Sequence, residues 1–441
     1  MDALIPARRH NPAPPHANGR RDLTLEKAIL TNDRTPRAVP KDFLWGVAIS
    51  GHQSEGNNVA SDVWLAEHVT PTVFAEPSRD ACDSYHRFGD DVAIAADLGL
   101  NCYRFGIEWA RIEPEPGQFS SAELDRYARL IDRCLERGLA PMLTYSHFTV
   151  PRWFAARGGF EVADGADLFA RFAEAATRRL GEHLIAATTF NEANIQRLIK
   201  LLLSKPEAQP AIDAMLAACA QRCGSPRFSS LLFADAEKTE AVLIDAHRKA
   251  LQAIKAGPGN FPVGLNLTMQ EVQGVGDGNL AEYMTDSLYG PWLDEAAMTD
   301  FIGVQTYTRV RVDASGQAAL APDTEMTAAG YEFYPQALGA TIRLAASRTG
   351  RPVYVTESGI ATDDDTRRIA YIDAALAEVR KCLDDGIDVR SYIHWSLLDN
   401  FEWTSGYDQR FGLVGVDFET FQRTPKPSAF HLGAIARRGE L

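Results

Sequence analysis

No uninterrupted apolar run in this chain approaches the roughly 20 residues that a membrane helix requires, so no spanning segment is expected. Positive charge is also in deficit: 45 Lys and Arg stand against 59 Asp and Glu, a formal net charge of -14. A nucleic-acid partner needs clustered cations that displace counterions from phosphates. The balance argues against one and suits a neutral small molecule. Cysteine is sparse, with Cys82, Cys102, Cys134, Cys219, Cys223 and Cys382 scattered over 441 residues. That is not the dense framework of a small disulfide-stapled domain, and reduced thiols are expected. Cys219 and Cys223 stand at helical spacing, yet structural zinc needs four ligands and no second pair is visible. The first residues, "MDALIPARRHNPAPPHANGRR", lack the apolar stretch of a secretory signal, which leads to the expectation of a cytoplasmic protein. A Gly-rich phosphate turn is missing after the first β-rich run, where "GVAISGHQSEGNN" offers polar side chains instead. This disfavours a doubly wound dinucleotide-binding sheet.

What is present is a large core: 45% of residues are apolar and 24% charged, the profile of a globular protein. Residues 1–37 are rich in Pro, Arg and Asn with little periodicity. They are expected to form a disordered or loosely docked N-terminal arm, with a short helix around "LTLEKAIL". Residues 38–441 are expected to form one catalytic domain. Short β-rich runs recur there: "FLWGVAI", "NCYRFGI", "APMLTYSH", "ATTFNEA", "FPVGLNLT", "DFIGVQTY", "PVYVTES" and "VRSYIHW". Between them lie helical patterns such as "SAELDRYARLIDRCLERG" and "RRIAYIDAALAEVRKCLDDG", several closed by Gly. Eight strand and helix alternations imply an α/β fold, a single (β/α)8 barrel with elaborated βα loops.

Active sites of such barrels lie at the C-terminal ends of the strands. Unusual polar or aromatic residues fall near those ends: Gln53, Arg104, His147, Asn191 with Glu192, Tyr307, Glu357 and Trp395. Glu192 in "TTFNEAN" and Glu357 in "VYVTESG" would face each other across the mouth of a barrel. A lone Glu is ordinarily a surface or ion-paired residue. Two facing carboxyls supply what glycoside hydrolysis needs, an acid for the leaving oxygen and a carboxylate for the oxocarbenium-like centre. If Arg104 and the Tyr307 phenol reach Glu357, they favour its ionised form, while Glu192 beside a negative neighbour holds its proton. The stretch "HWSLLDNFEW" adds flat rings suited to the C–H faces of a sugar and a carboxylate suited to its hydroxyls. Asp399 and Asn400 within it are expected to order the loop.

In order along the chain, "FLWGVAISGHQSEG", "YRFGIEWARIEP", "HFTVPRWF", "TFNEA", "TESG", "HWSLLDNFEW", "GYDQRFGLVGVDF" and "RTPKPSAF" resemble the motifs of the family 1 glycoside hydrolases, the β-glucosidase family. The resemblance implies Glu357 as nucleophile and Glu192 as acid/base of a retaining reaction with a covalent glycosyl-enzyme intermediate. It further implies Trp395 as an apolar platform, Glu402 and Trp403 as partners of outer hydroxyls, and Gln53, His147 and Asn191 as further hydroxyl contacts. Phe411 matches an aromatic wall. The expected activity is an exo-β-glycosidase, foremost a β-glucosidase with some tolerance for galactose or fucose, and it needs no metal or organic cofactor. Glu402 would repel a phosphate, which favours an unphosphorylated glycoside. A transglycosidase would share every catalytic residue, and a catalytically silent sugar-binding barrel is the alternative from another class.

Three departures stand out. Ala193 follows the acid where the family usually has Pro; Gln305, Thr306 and Tyr307 replace a usual Asn-Tyr-Tyr; and the segment 194–235 does not resemble the family's continuation. That segment reads as one or two amphipathic helices, for which a lid and a homo-oligomer contact are both open. The connection between the fifth and sixth strands is short as well. Together these changes predict an altered leaving-group pocket, apolar or wide.

Overall fold

A computed structural model describes residues 38–441 except 204 and 205. The expected arm and the helix around "LTLEKAIL" lie outside the described residues. Eight parallel strands close into a barrel: β1 (Leu44–Ile49), β2 (Cys102–Gly106), β3 (Ala140–Ser146), β4 (Ala186–Phe190), β5 (Val263–Thr268), β6 (Phe301–Gln305), β7 (Val353–Ser358) and β8 (Val389–Trp395). Each coincides with one of the eight β-rich runs. β1 pairs with β2 on one side and β8 on the other, so the barrel has no open edge.

A helix follows every strand: α1 (Ser84–Asp97), α2 (Ser121–Glu136), α3 (Gly165–Leu180), α4 (Ala236–Ala256), α5 (Ala281–Ala296), α6 (Ala337–Thr349), α7 (Asp365–Asp384) and α8 (Pro427–Arg438). Polar caps start several of them. The Ser120 hydroxyl accepts from the Glu123 N–H at the head of α2, and the Asp235 and Asp364 carboxylates do the same for α4 and α7. Each satisfies a backbone donor that the helix itself leaves orphaned. Among the described residues no helix is long and apolar enough to cross a membrane. All six cysteines are free thiols; Cys219 is buried on the helix Gln209–Arg222, and Cys223 lies just beyond it.

The period of two along a strand sorts side chains into two cores. Trp45, Val47 and Ile49 of β1 join the large cluster shared with the helices, whereas Ala48 belongs to a smaller cluster with Cys102, Met142, Ala186, Phe301, Tyr354 and Ile393. That smaller set, one residue from nearly every strand, fills the barrel interior. Arg104 pairs in register with Ala48 and so also points inward.

β7 breaks the alternation where it matters. Val353 and Val355 face the helices and Tyr354 faces the interior, so strict alternation would turn Glu357 outward. The register slips there: Val355 pairs with Val304 and Glu357 with the next residue, Gln305, leaving one residue of β7 unmatched. Such a bulge re-aims the side chains beyond it, and Glu357 points into the mouth.

The loops above the barrel are elaborated. Glu271–Gly274, Arg309–Asp313 and Gly316–Gln317 form a small three-stranded sheet beside the mouth. After β4 the chain runs through a helical turn (Ile195–Leu198), a π-helical stretch (Ile199–Leu203) and the helix Gln209–Arg222.

Candidate active site

A cavity of about 1050 Å³ opens at the C-terminal ends of the strands. Gln53, His147, Asn191, Glu192, Tyr307, Glu357, Trp395, Glu402, Trp403 and Phe411 line it. Arg104 does not. It rises from the middle of β2 rather than its end, is 1% exposed, and acts from behind the cavity wall.

Glu357 is clamped from two sides. Arg104 Nη1 donates to Oε1 at 2.6 Å, and the Tyr307 hydroxyl donates to Oε2 at 2.6 Å. Burial raises the carboxyl above its ordinary range, while the guanidinium and the phenol both pull it back. The Tyr307 phenol is itself raised well above its usual range, by burial and then by Glu357, so it stays protonated and can keep donating.

Glu192 lacks such a clamp. Burial first, and then the charge of Glu357, push it up to about 8, with smaller opposing pulls from the Thr268 hydroxyl and Arg104. The two carboxyls titrate as a pair, and the asymmetry of their partners decides the order: Glu357 ionises first and Glu192 keeps its proton at neutral pH. Glu192 has a φ of 42°, a left-handed backbone that is costly for a residue with a Cβ and is found most often at functional positions. The next residue helps hold it. Ala193 N–H donates to the Asn266 carbonyl at 3.0 Å, a bond that a proline could not make. The departure from Pro at this position thus ties the loop of the acid to β5.

Asn191 is oriented by two donors. Arg104 Nη2 and Gln305 Nε2 both donate to its Oδ1, at 2.5 and 2.7 Å. The amide oxygen is therefore engaged, and the –NH2 end is the one left for a ligand. Gln305, the first residue of the second departure, thus supports the site from below. Thr306 turns away, its hydroxyl 2.7 Å from that of Thr341.

Gln53 donates to Glu402 Oε2 at 3.0 Å and to the Phe401 carbonyl at 2.9 Å, while its own oxygen accepts from Ser50. Burial and the charge of Glu357 push Glu402 up to about 8. His147 stacks on Trp395 at 5.5 Å and on Trp403 at 6.3 Å. Burial, and then the Arg104 charge, hold its imidazole far below the usual range and so neutral. Phe411 meets the Tyr307 ring edge-on at 5.9 Å. Asp399 orders its loop as expected, accepting from Gly412 N–H at 2.9 Å and Lys426 Nζ at 2.8 Å.

Sequence reasoning missed two supports. His52 stacks flat on Trp403, with centroids 5.8 Å apart and planes 6° apart, and is anchored by Glu67 at 2.8 Å. Phe148 meets Trp403 edge-on at 5.3 Å. His52 precedes Gln53 within a polar turn, and that adjacency was the only available signal. Chemically, a protonated carboxyl beside a clamped and ionised one, both buried at the cavity wall, can donate a proton and offer a nucleophile to one ligand.

The sequence model described as "Glycosyl hydrolase family 1" matches residues 35–215 and 281–440. Thermostable beta-glucosidase B of Thermobispora bispora is 32% identical over 91% of this chain and 91% of its own length. Beta-glucosidase A of Acetivibrio thermocellus is 29% identical over 89% of this chain and 96% of its own. Among solved structures, the apo form of a beta-glucosidase 1317 superimposes with a TM-score of 0.88 at 45% identity, covering 90% of this chain and 98% of that one.

Proposed function

The chain belongs to glycosyl hydrolase family 1, and on that footing we propose that it is a β-glucosidase that releases one terminal, unphosphorylated sugar at a time, with retention of configuration. The observation that carries this reading is the asymmetry of the two carboxyls. Glu357 is held by Arg104 and Tyr307, while Glu192 is pushed up to about 8.

In the first half-reaction Glu192 gives its proton to the glycosidic oxygen as the bond to the anomeric carbon breaks. The Glu357 carboxylate attacks that carbon from the opposite face and forms an ester. Esterification removes the charge of Glu357, and with it the largest of the charge effects that raise Glu192. Glu192 is then left as a carboxylate. In the second half-reaction it takes a proton from water, the water oxygen bonds to the anomeric carbon, and Glu357 leaves as a carboxylate. An acceptor alcohol could replace that water without any change of residue.

Gln53 is fully buried and His147 is 4% exposed, which suits a terminal ring held by its hydroxyls better than the interior of a long chain. Asn191 is the donor for the 2-hydroxyl, Gln53 and Glu402 serve the outer hydroxyls together with the Trp403 indole N–H, and Trp395 and Phe411 supply apolar faces. A phosphate at the Glu402 end would meet an acidic side chain held by Gln53 rather than a cation.

The direct test is proton NMR of the products from an aryl β-glucoside, alongside initial rates on the galactoside, fucoside and 6-phosphoglucoside. The β-anomer is expected first, mutarotating later, with the phosphorylated substrate inert. Initial appearance of the α-anomer would overturn the covalent route. The clamp makes a separate prediction. In Tyr307→Phe the Glu357 anion loses a donor at 2.6 Å, and a hydrogen bond to a charged group is worth ~1.5–3 kcal/mol. At 1.36 kcal/mol per unit, the acid limb of the kcat/KM profile should move up by about one to two pH units. An unmoved limb would mean that Tyr307 does not control the ionisation of Glu357.

A further inference from the structure

The cavity is at the top of the ~300–1,000 Å³ range typical of pockets for drug-sized ligands, so a single sugar ring leaves much of it unfilled. One side of the remainder is apolar. It begins with Ile195, three residues beyond the acid, and continues through Ile199, Ile212 and Leu216, with Val73 and Phe233 alongside. All six are half-buried. Val73, Ile195, Leu216 and Phe233 pack on the main core, which makes this side part of the folded body.

Several polar groups that line the cavity are already engaged. Gln196 Nε2 donates to the Leu231 carbonyl at 2.9 Å, Gln209 Nε2 to Asp213 at 2.8 Å, and Lys200 to Glu237 at 2.5 Å. Across the cavity, Arg309 closes a two-pronged pair on Glu332 at 2.8 and 2.6 Å, and Gln270 donates to Thr268 at 3.3 Å. Against these six apolar side chains a second sugar would lose water from its hydroxyls without regaining hydrogen bonds. An alkyl chain or flat ring system would gain by burial.

Glu192 protonates the oxygen of the leaving group, so whatever that oxygen carries must lie beside the segment that continues from Glu192. We propose that this side of the cavity selects the aglycone, and that the preferred substrates are β-glucosides of extended apolar alcohols rather than disaccharides. The inference rests on the proposed β-glucosidase activity and adds the class of its leaving group.

The test is kcat/KM for methyl, butyl and octyl β-glucoside, each below its aggregation concentration, against cellobiose and an activated small substrate, 2,4-dinitrophenyl β-glucoside. The value should climb with chain length, octyl exceeding butyl by about tenfold or more, and octyl should exceed cellobiose. Ile199→Asn and Ile212→Asn should each flatten that climb. Neither residue packs on the main core, and thermal melting verifies that the variants fold. A flat chain-length series, cellobiose as the best substrate, or a climb that survives both substitutions would overturn the proposal. If even the activated glucoside is not cleaved, it is the catalytic reading that fails. The chain-length dependence of Kd for alkyl β-thioglucosides then decides the aglycone preference independently, a flat series counting against it.

Discussion

Glu357→Gln should lower kcat on aryl β-glucosides by about 10⁴-fold or more, because an amide cannot supply the carboxylate that forms the ester. The substitution is nearly isosteric and Arg104 keeps its bonds to Asn191 and the Thr356 carbonyl, so the pocket should persist. Thermal melting is the control, since the buried guanidinium loses its anion. A second effect follows from the electrostatics. The charge of Glu357 is one cause of the elevation of Glu192, so Glu192 should fall from about 8 in this variant, a shift that carbon-13 NMR of labelled glutamate can read. The site holds a third carboxyl, the half-buried Glu402, also pushed up to about 8 but without a guanidinium partner. Substantial residual turnover in Glu357→Gln that disappears only when Glu402 is changed would move the nucleophile there.

Glu192→Gln should divide substrates by leaving group. For an alkyl glucoside, whose alkoxide cannot leave unprotonated, kcat/KM should drop by ~10²–10⁴-fold. For 2,4-dinitrophenyl glucoside, which needs no proton, ester formation should be little changed, while its hydrolysis slows for want of a base. A stopped-flow burst of phenolate followed by a slow steady state is the expected trace. The pH profile gives the complementary sign. The proposed mechanism needs Glu192 protonated, so the wild-type kcat/KM for a poor leaving group should fall as pH rises through about 8, and Glu192→Gln should abolish that limb. Since Glu402 lies in the same range, Glu402→Gln is the control, and it should bind sugar less well yet retain the limb. Loss of the limb in Glu402→Gln instead would assign the titration to the wrong carboxyl.

What the sequence determined by itself is the part of this protein that depends on local periodicity. Eight β-rich runs separated by helical patterns specify eight βα units, and a barrel brings the far ends of its strands together whatever the distance along the chain. Glu192 and Glu357, 165 positions apart, were therefore legible as partners before any coordinates. The motif resemblance implied a role for each and a set of sugar-binding residues.

Tertiary structure decided what periodicity cannot encode. Strict alternation along β7 would have turned Glu357 toward the helices, and only its register against β6 shows the bulge that brings it round. Arg104 looked like a residue at a strand end but acts from mid-strand, because a long side chain in a barrel interior can span the distance. The substitutions at 193 and 305 looked like losses. Their meaning depended on neighbours from distant segments, the Asn266 carbonyl for one and the Asn191 amide for the other. The segment after Glu192 was readable as helical and amphipathic, but only its packing shows that its half-buried residues line the cavity that holds Glu192. Hydrogen bonds and apolar contacts between residues remote in sequence form only when the chain closes on itself, and for that reason strand pattern and composition left them unread.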